Sequence, residues 1–256
     1  SSSPAAPPPP SWDVAVVVPC HNYARYLAEC LESILAQTLP PAEIIVVDDA
    51  SSDPTPTIAA QFADRGVRYL RVECRSPHEA RRAGVAATTA PLICCIDADD
   101  RIARDYLEQA LPLFQDPRVA IAWSPVREFG ERSNRWDPRP SDDIRRSNWI
   151  HAGAVFRRAA AEQCQAFDRP NHHTTEDVEL WRRFLEAGWS HARNPAEYFY
   201  RIHSGSRSEL RPRGISRTVV AVYLTSAPDR QRGTPVAKDD WNRVATWVSG
   251  IQPNRL

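Results

Sequence analysis

Methionine is absent from all 256 positions, and so is any sustained apolar run. A membrane-spanning helix needs about 18 to 20 consecutive apolar residues, and no stretch approaches that. The N-terminal segment also lacks the basic and apolar regions of a secretory leader, so we expect a soluble, cytoplasmic protein with no transmembrane segment. Charge of one sign is missing too, because Lys plus Arg is 32 and Asp plus Glu is 32. Without a net positive field the chain has no general grip on nucleic-acid backbones or anionic membranes, so nucleic acid is not an expected partner. A small anionic ligand remains open. The six cysteines, at positions 20, 30, 74, 94, 95 and 164, form no Cys-x-x-Cys pair and no zinc-type grouping with histidine. Several lie in apolar stretches, where free Cys acts as a small hydrophobe, which fits a reducing interior. Neither G-x-G-x-x-G nor G-x-x-x-x-G-K-S/T occurs, which excludes the dinucleotide fingerprint and the P-loop. Any nucleotide must be held differently.

What is present is a regular alternation. After a Pro-rich tail (1–11) that cannot build a core, "DVAVVVP" (13–19) is a short β-branched run closed by proline, the pattern of a buried strand. Leu27, Cys30, Leu31, Ile34 and Leu35 then share one helical face. "EIIVVDD", "GVRYLRVEC" and "PLICCID" read as further strands, and 54–63, 78–88 and 103–114 as helices. This α/β alternation predicts a mostly parallel central sheet flanked by helices, long enough for a substantial core without staples. Ligands of such sheets bind beyond the carboxyl ends of the strands, here "PCHNY", "DDASSD" and "DADD". In the second half, "VAIAWSPV" and "WIHAGAVFR" read as strands and 128–147 as a polar, Arg-rich loop. A helix is expected over 177–187, a further strand at "YFYRIHSGS", and two helices near 215–225 and 238–248.

Four groups carry candidate chemistry. Asp97, Asp99 and Asp100 close an apolar strand; D-x-D in extended backbone points Asp97 and Asp99 to one side. A divalent cation, Mg²⁺ or Mn²⁺, would relieve their repulsion, whereas the plainer reading makes Asp99 or Asp100 a helix cap. In "VVDDASSD" the acids either build a turn and cap or accept hydrogen bonds from a base or ribose. Thr174 with Asp177 fits a capping pattern, and Asp177 is also placed to serve as a general base. His203 is either a satisfied interior imidazole or a ligand for metal or phosphate.

The ordered run of 13–207, from "VAVVVPCHNYARYLAECLESILAQTLPPAEIIVVDDASSDPT" through "CIDADD" and "EDVELWRRFLEAGW" to "YRIHSGS", resembles the inverting nucleotide-sugar glycosyltransferases of family 2. The resemblance implies a GT-A fold, Rossmann-like and single-domain, with a nucleotide-sugar half at 12–125, an acceptor and base half at 126–210, and a helical extension at 211–256. It implies that Pro19, His21, Asn22, Asp49, Arg82, Asp97, Ala98 and Asp99 hold the donor, with Asp49 reading a uracil-type base. It also implies that Asp99, Asp100 and His203 hold Mn²⁺ or Mg²⁺, and that Asp177 is the base. Residues 76–85, "SPHEARRAGV", depart from the Gly-rich approach and Arg-Asn pair of many relatives, with Ala83 at the Asn position.

The implied reaction is inverting hexosyl transfer from a nucleoside-diphosphate sugar, a UDP-sugar in the first instance, to an acceptor hydroxyl. Acceptor recognition is expected from the second half, and saccharide, peptide and small natural product all stay open. Trp136, Trp149 and Trp189 are either sugar-stacking or core residues. Two other classes compete. A nucleotidyltransferase would carry a Gly-rich basic loop after the first strand, and "PCHNYARY" has none. An inactive GT-A scaffold would have no chemical need for Asp97, Asp99, Asp177 and His203 together.

Overall fold

The computed structural model describes residues 13–137, 140, 144, 149–167 and 176–204. The Pro-rich tail, the capping residue Thr174 and the two expected C-terminal helices lie outside them. The first half runs Val14–Cys20 (β1), Ala24–Leu35 (α1), Glu43–Asp49 (β2), Thr55–Ala60 (α2), Val67–Val72 (β3), Pro77–Ala86 (α3) and Leu92–Cys95 (β4). It continues with Arg101–Ile102 (β5), Tyr106–Ala110 (α4), Val119–Trp123 (β6), Val126–Gly130 (β7), Arg135–Trp136 (β8), Val155–Arg157 (β9), Arg158–Gln163 (α5), Glu176–Glu186 (α6), Ser190–Arg193 (β10) and Tyr198–Ile202 (β11).

The main sheet has the order β10-β6-β9-β4-β1-β2-β3. It is parallel except for β9, which runs antiparallel between β4 and β6. Alternation along the strands explains why both faces are covered. Val14, Val16, Val18, Ile44, Val46 and Leu92 join the core under α1, while Val17, Ile45, Val47 and Ile93 join the core under α3. Helix α1 meets the first core with the expected face, burying Leu27, Cys30, Leu31 and Ile34.

Three expectations need correction. The stretch 128–147 begins in the strand β7, which pairs with β8 and lies parallel to β11 in a second sheet of order β5-β11-β7-β8. Its partner is some 70 residues away and its polar residues hide any alternation, so a local reading sees only a loop. The strand expected across "WIHAGAVFR" shortens to β9, with Trp149 and Ile150 buried before it. The helix expected over 103–114 is only α4, followed by a 3₁₀ turn at Leu111–Gln115. Pro112 lacks the N–H that a continuing α-helix needs.

Helix α3 lies unusually close to the sheet because Gly84 has no side chain. A Cβ there would stand 2.3 Å from Val17 Cγ1 and 2.9 Å from Val47 Cγ2. Gly84→Ala therefore gains about 1 kcal/mol of helix propensity but incurs overpacking of about 1 to 3 kcal/mol. We expect a net loss of about 1 kcal/mol, read as a lower urea midpoint with unchanged slope; an unchanged or raised midpoint would show slack beneath α3.

Candidate active site

The ends of β1, β2 and β4 bring "CHN", "DDASSD" and "DADD" to one edge of the sheet. Two loops interlock there. Asn22, in the left-handed region at φ 58, receives Ser52 N–H on Oδ1 at 2.8 Å and gives its own N–H to Ser51 Oγ at 2.9 Å. Asp53 accepts Ala24 N–H at 2.8 Å on one oxygen and Thr55 N–H at 3.1 Å on the other, tying the starts of α1 and α2 together. Asp48 is wholly buried and accepts Ser51 N–H and Tyr69 O–H. The turn-and-cap reading therefore describes Asp48 and Asp53. Asp49 differs: its carboxylate accepts three backbone N–H groups, from Cys74 at 2.8 Å, Arg75 at 2.7 Å and Ser76 at 2.7 Å. A carboxylate offers about four acceptor positions, and the Cys74 thiol also bonds this one, so a ligand competes with that thiol for the fourth. His21 is exposed beside it, with Nδ1 2.5 Å from Asp49 O. Pro19, within β1, pairs in register with Val47.

The D-x-D segment is a turn rather than a strand. β4 ends at Cys95, and Asp100 N–H closes onto Asp97 O at 2.9 Å. Asp97 and Asp99 consequently point to different partners, not to one side as extended backbone would dictate. Asp97 accepts Arg81 Nη2 at 2.6 Å; Asp99 Oδ2 lies 3.0 Å from His203 Nε2; and Asp100 accepts Tyr198 O–H at 2.6 Å and Arg201 N–H at 2.8 Å. None of the acids caps a helix, since α4 begins only at Tyr106. Ala98 turns its side chain into the core, leaving only backbone for a ligand.

Burial, reinforced by Asp97, raises the Asp99 carboxyl above its ordinary range against the pull of His203. Asp100, at 1% exposure, is pushed well up by burial and then by its neighbours Asp99 and Asp97. Each Asp100 oxygen already accepts one bond from β11 and the side chain is buried, so Asp99 and His203 are the more open of the residues expected to hold metal. One carboxylate oxygen and one imidazole nitrogen suit Mn²⁺ better than Mg²⁺. His203 Nδ1 lies 3.2 Å from Ser204 O and 3.4 Å from Arg25 Nη2; in the tautomer that gives its Nδ1 proton to Ser204 O, Nε2 is left as a donor atom. The pair thus fits a divalent ion, although no group of three or more metal-type side chains occurs among the described residues.

Arg82 does not reach this edge. It lies on the outer side of α3, half-exposed, bonded to Glu79 at 2.8 Å. Arg81, one residue earlier and one turn before Gly84, is the buried cation: its Nη1 donates to Glu176 at 2.8 Å while Nη2 holds Asp97. Burial disfavours the charged guanidinium, but Asp97 and Glu176 outweigh it and keep Arg81 ionised. The signal was available, because Arg81 shares the inward face with Gly84 and Val85. Arg81 thereby bridges the D-x-D turn to α6. Asp177, in the first turn of α6, lines a narrow cleft of about 20 Å³ with Arg81, Glu176, His78, Phe167 and Trp181. The aromatic candidates divide: Trp149 is in the core under α3 with Trp189 partly buried against it, while Trp136 is partly buried against the core under α1.

A mainly parallel sheet with its acids gathered in a turn at the carboxyl edge defines an α/β protein of the GT-A type. TarS 1–349 of S. aureus in complex with UDP-GlcNAc shares this fold, with a TM-score of 0.64 at 16% identity over 95% of this chain and 74% of TarS. So does the mannosyltransferase PcManGT of Pyrobaculum calidifontis in complex with GDP-Man and Mn²⁺, with a TM-score of 0.62 at 21% identity over 95% of this chain and 72% of that one. The chain belongs to glycosyl transferase family 2, whose model matches residues 15–180, and it is a glycosyltransferase. It is also 37% identical over 219 residues to the succinoglycan biosynthesis protein ExoO of Rhizobium meliloti (strain 1021), covering 77% of this chain and 63% of ExoO. Among the described residues no helix is long and apolar enough to cross a membrane.

Removing the Arg81 charge leaves Asp97 and Glu176 facing each other without a cation. Arg81→Leu is expected to cost about 3 kcal/mol, the low end for breaking a buried pair because Asp97 is partly open to water. Chemical denaturation measures it, and a loss below the scatter of surface substitutions would disprove the bridge. His151 offers a pH test. It is buried and stacked on Tyr198 with ring centroids 4.2 Å apart, neither nitrogen has a partner among the described residues, and burial lowers its pKa to about 3. Its unfolded form titrates near about 6.5, so the unfolded state binds the extra proton between these values. Stability is complete above the upper value and is lost as pH falls. His151→Phe should remove up to about 1.4 kcal/mol of that loss per pH unit. Parallel stability curves for variant and wild type between pH 6.5 and 4 would refute the assignment.

Proposed function

We propose that the enzyme transfers a hexosyl group from a UDP-sugar to an acceptor hydroxyl by a single inverting displacement, with Asp177 as general base. The observation that carries this reading is the cleft shared by Asp177 and Arg81, with Arg81 reaching from it to the D-x-D turn. Donor-side groups and a carboxylate suited to activating an acceptor thus stand on adjoining elements. The fourth acceptor position of Asp49 would take a base N–H in place of the Cys74 thiol, and exposed His21 would lie against the nucleoside. Asp97, fixed by Arg81, would accept ribose hydroxyls. Asp99 and His203 would hold the divalent ion, which supplies positive charge to a diphosphate leaving group when bound. Asp177 would take the proton of the attacking hydroxyl on the opposite face of the sugar, and held geometry supplies much of the rate.

Residues 12–125 form the donor half in this reading, and 126–210 the acceptor side. The name of ExoO as a succinoglycan biosynthesis protein favours a saccharide acceptor over a peptide or small natural product. TarS is described with UDP-GlcNAc and PcManGT with GDP-Man, so the nucleotide itself needs a direct test. Membership in the family sets aside the nucleotidyltransferase alternative.

Thermal shift with UDP, GDP and dTDP, with and without Mn²⁺, is the experiment. A nucleotide at 100 times its Kd adds about 2.7 kcal/mol, and we expect that gain from UDP in the presence of metal. A larger response to GDP or dTDP would change the donor, and no response to any would favour an inactive scaffold. Asp177→Asn should lower transfer by about 10²- to 10⁴-fold and leave the nucleotide response intact; wild-type turnover in that variant would end the base assignment.

A further inference from the structure

We infer that Arg25 binds the diphosphate of the donor beside the Asp99–His203 pair. The inference rests on the donor reading above and adds a residue to it. Most arginines of the described residues are committed to carboxylates: Arg65 to Glu32, Arg82 to Glu79, Arg127 to Glu197, Arg182 to Glu179 and Arg193 to Asp137. Arg25 is exposed and has no carboxylate within ion-pair distance among the described residues. Its guanidinium carbon stands 4.5 Å from the ring centroid of Tyr26, and its Nη2 lies 3.4 Å from His203 Nδ1.

The position is held by an aromatic group rather than by an acid. Tyr26 lies 4.8 Å from the His203 ring and Tyr23 lies 5.6 Å from it at nearly a right angle. Arg201 also lies over Tyr26, at 4.6 Å, but its charge is answered by Glu29 and its Nε by Asp99 O. Two guanidinium groups therefore share one ring, and only Arg201 is neutralised. Glu131 is the acid that feels Arg25, yet its carboxylate is engaged by Ser204 N–H at 2.7 Å, which with His203 and Arg25 keeps it below its ordinary range.

A planar cation fixed on an aromatic face, open to water and adjacent to His203 matches phosphoryl oxygens in geometry and charge. Diphosphate is the chemistry that fits best, because charge grows on it as the sugar leaves and a preplaced cation then costs no reorganisation. The chain's balanced charge gives a polyanion no comparable grip.

Calorimetric titration of wild type, Arg25→Ala and Arg25→Lys with UDP, GDP, dTDP and inorganic pyrophosphate, each with Mn²⁺, tests the assignment. Uridine, guanosine and thymidine serve as controls without phosphate. Arg25→Ala should weaken pyrophosphate and the preferred nucleoside diphosphate by about 10-fold or more, while the matching nucleoside binds as before. Arg25→Lys should recover part of the loss, since it keeps the charge but not the planar fork. An exposed residue of this kind leaves the thermal midpoint unchanged, which separates lost binding from lost folding. Equal affinities in wild type and Arg25→Ala would overturn the inference and leave the donor reading standing. Arg25-dependent pyrophosphate binding without any nucleotide binding would keep the anion site and overturn the donor reading. Wild type that binds none of the four would overturn both.

Discussion

Three carboxylates within four residues cannot share one direction unless something offsets their repulsion, and this protein resolves the conflict by turning the backbone. The Asp97 to Asp100 turn sends each acid to a separate counterpart: the Arg81 guanidinium, the His203 imidazole, and the Tyr198 hydroxyl with the Arg201 amide. Because a buried charge without a partner is costly, each direction is enforced by the element that supplies the partner. α3, α6 and β11 are thereby tied to one short turn at the end of β4.

The same constraint explains the contrast between neighbouring residues of like chemistry. Asp48 and Asp49 differ because alternation in β2 sends Asp48 to Tyr69 and Arg71, and Asp49 to the amides of residues 74–76. Arg81 and Arg82 differ because successive helix positions are rotated by about 100°, so only Arg81 shares the face on which Gly84 lets α3 touch the sheet. In both pairs it is the geometry of the element, not the residue type, that separates a buried bridging group from a surface one.

Much of the first half was legible from the chain because its determinants are local. The β-branched runs of β1, β2 and β4 and the apolar stripe of α1 alternate with clear periods, and the strand ends mark the ligand edge. The second half was less legible because its order comes from distant partners. β7 depends on β11, and β9 is a short strand inserted against the direction of its neighbours. The candidate site shows the same split: its strand-end motifs meet at one sheet edge as expected, while on α3 the outward Arg82 does not reach that edge and the inward Arg81 does. Asp100 resembles its neighbours in sequence, and only the distant Tyr198 sets it apart.

The partners of the D-x-D turn also impose an order in time. Asp99 and His203 are 104 residues apart, and Asp100 and Tyr198 are 98 apart. A chain emerging from the ribosome can assemble β1, β2 and β4 around their hydrophobic faces while these acids still face water. The site edge closes only when β11 is available to dock, so a chain shortened before residue 198 would lose both the hydroxyl that completes the turn and a buried ring of the core under α1.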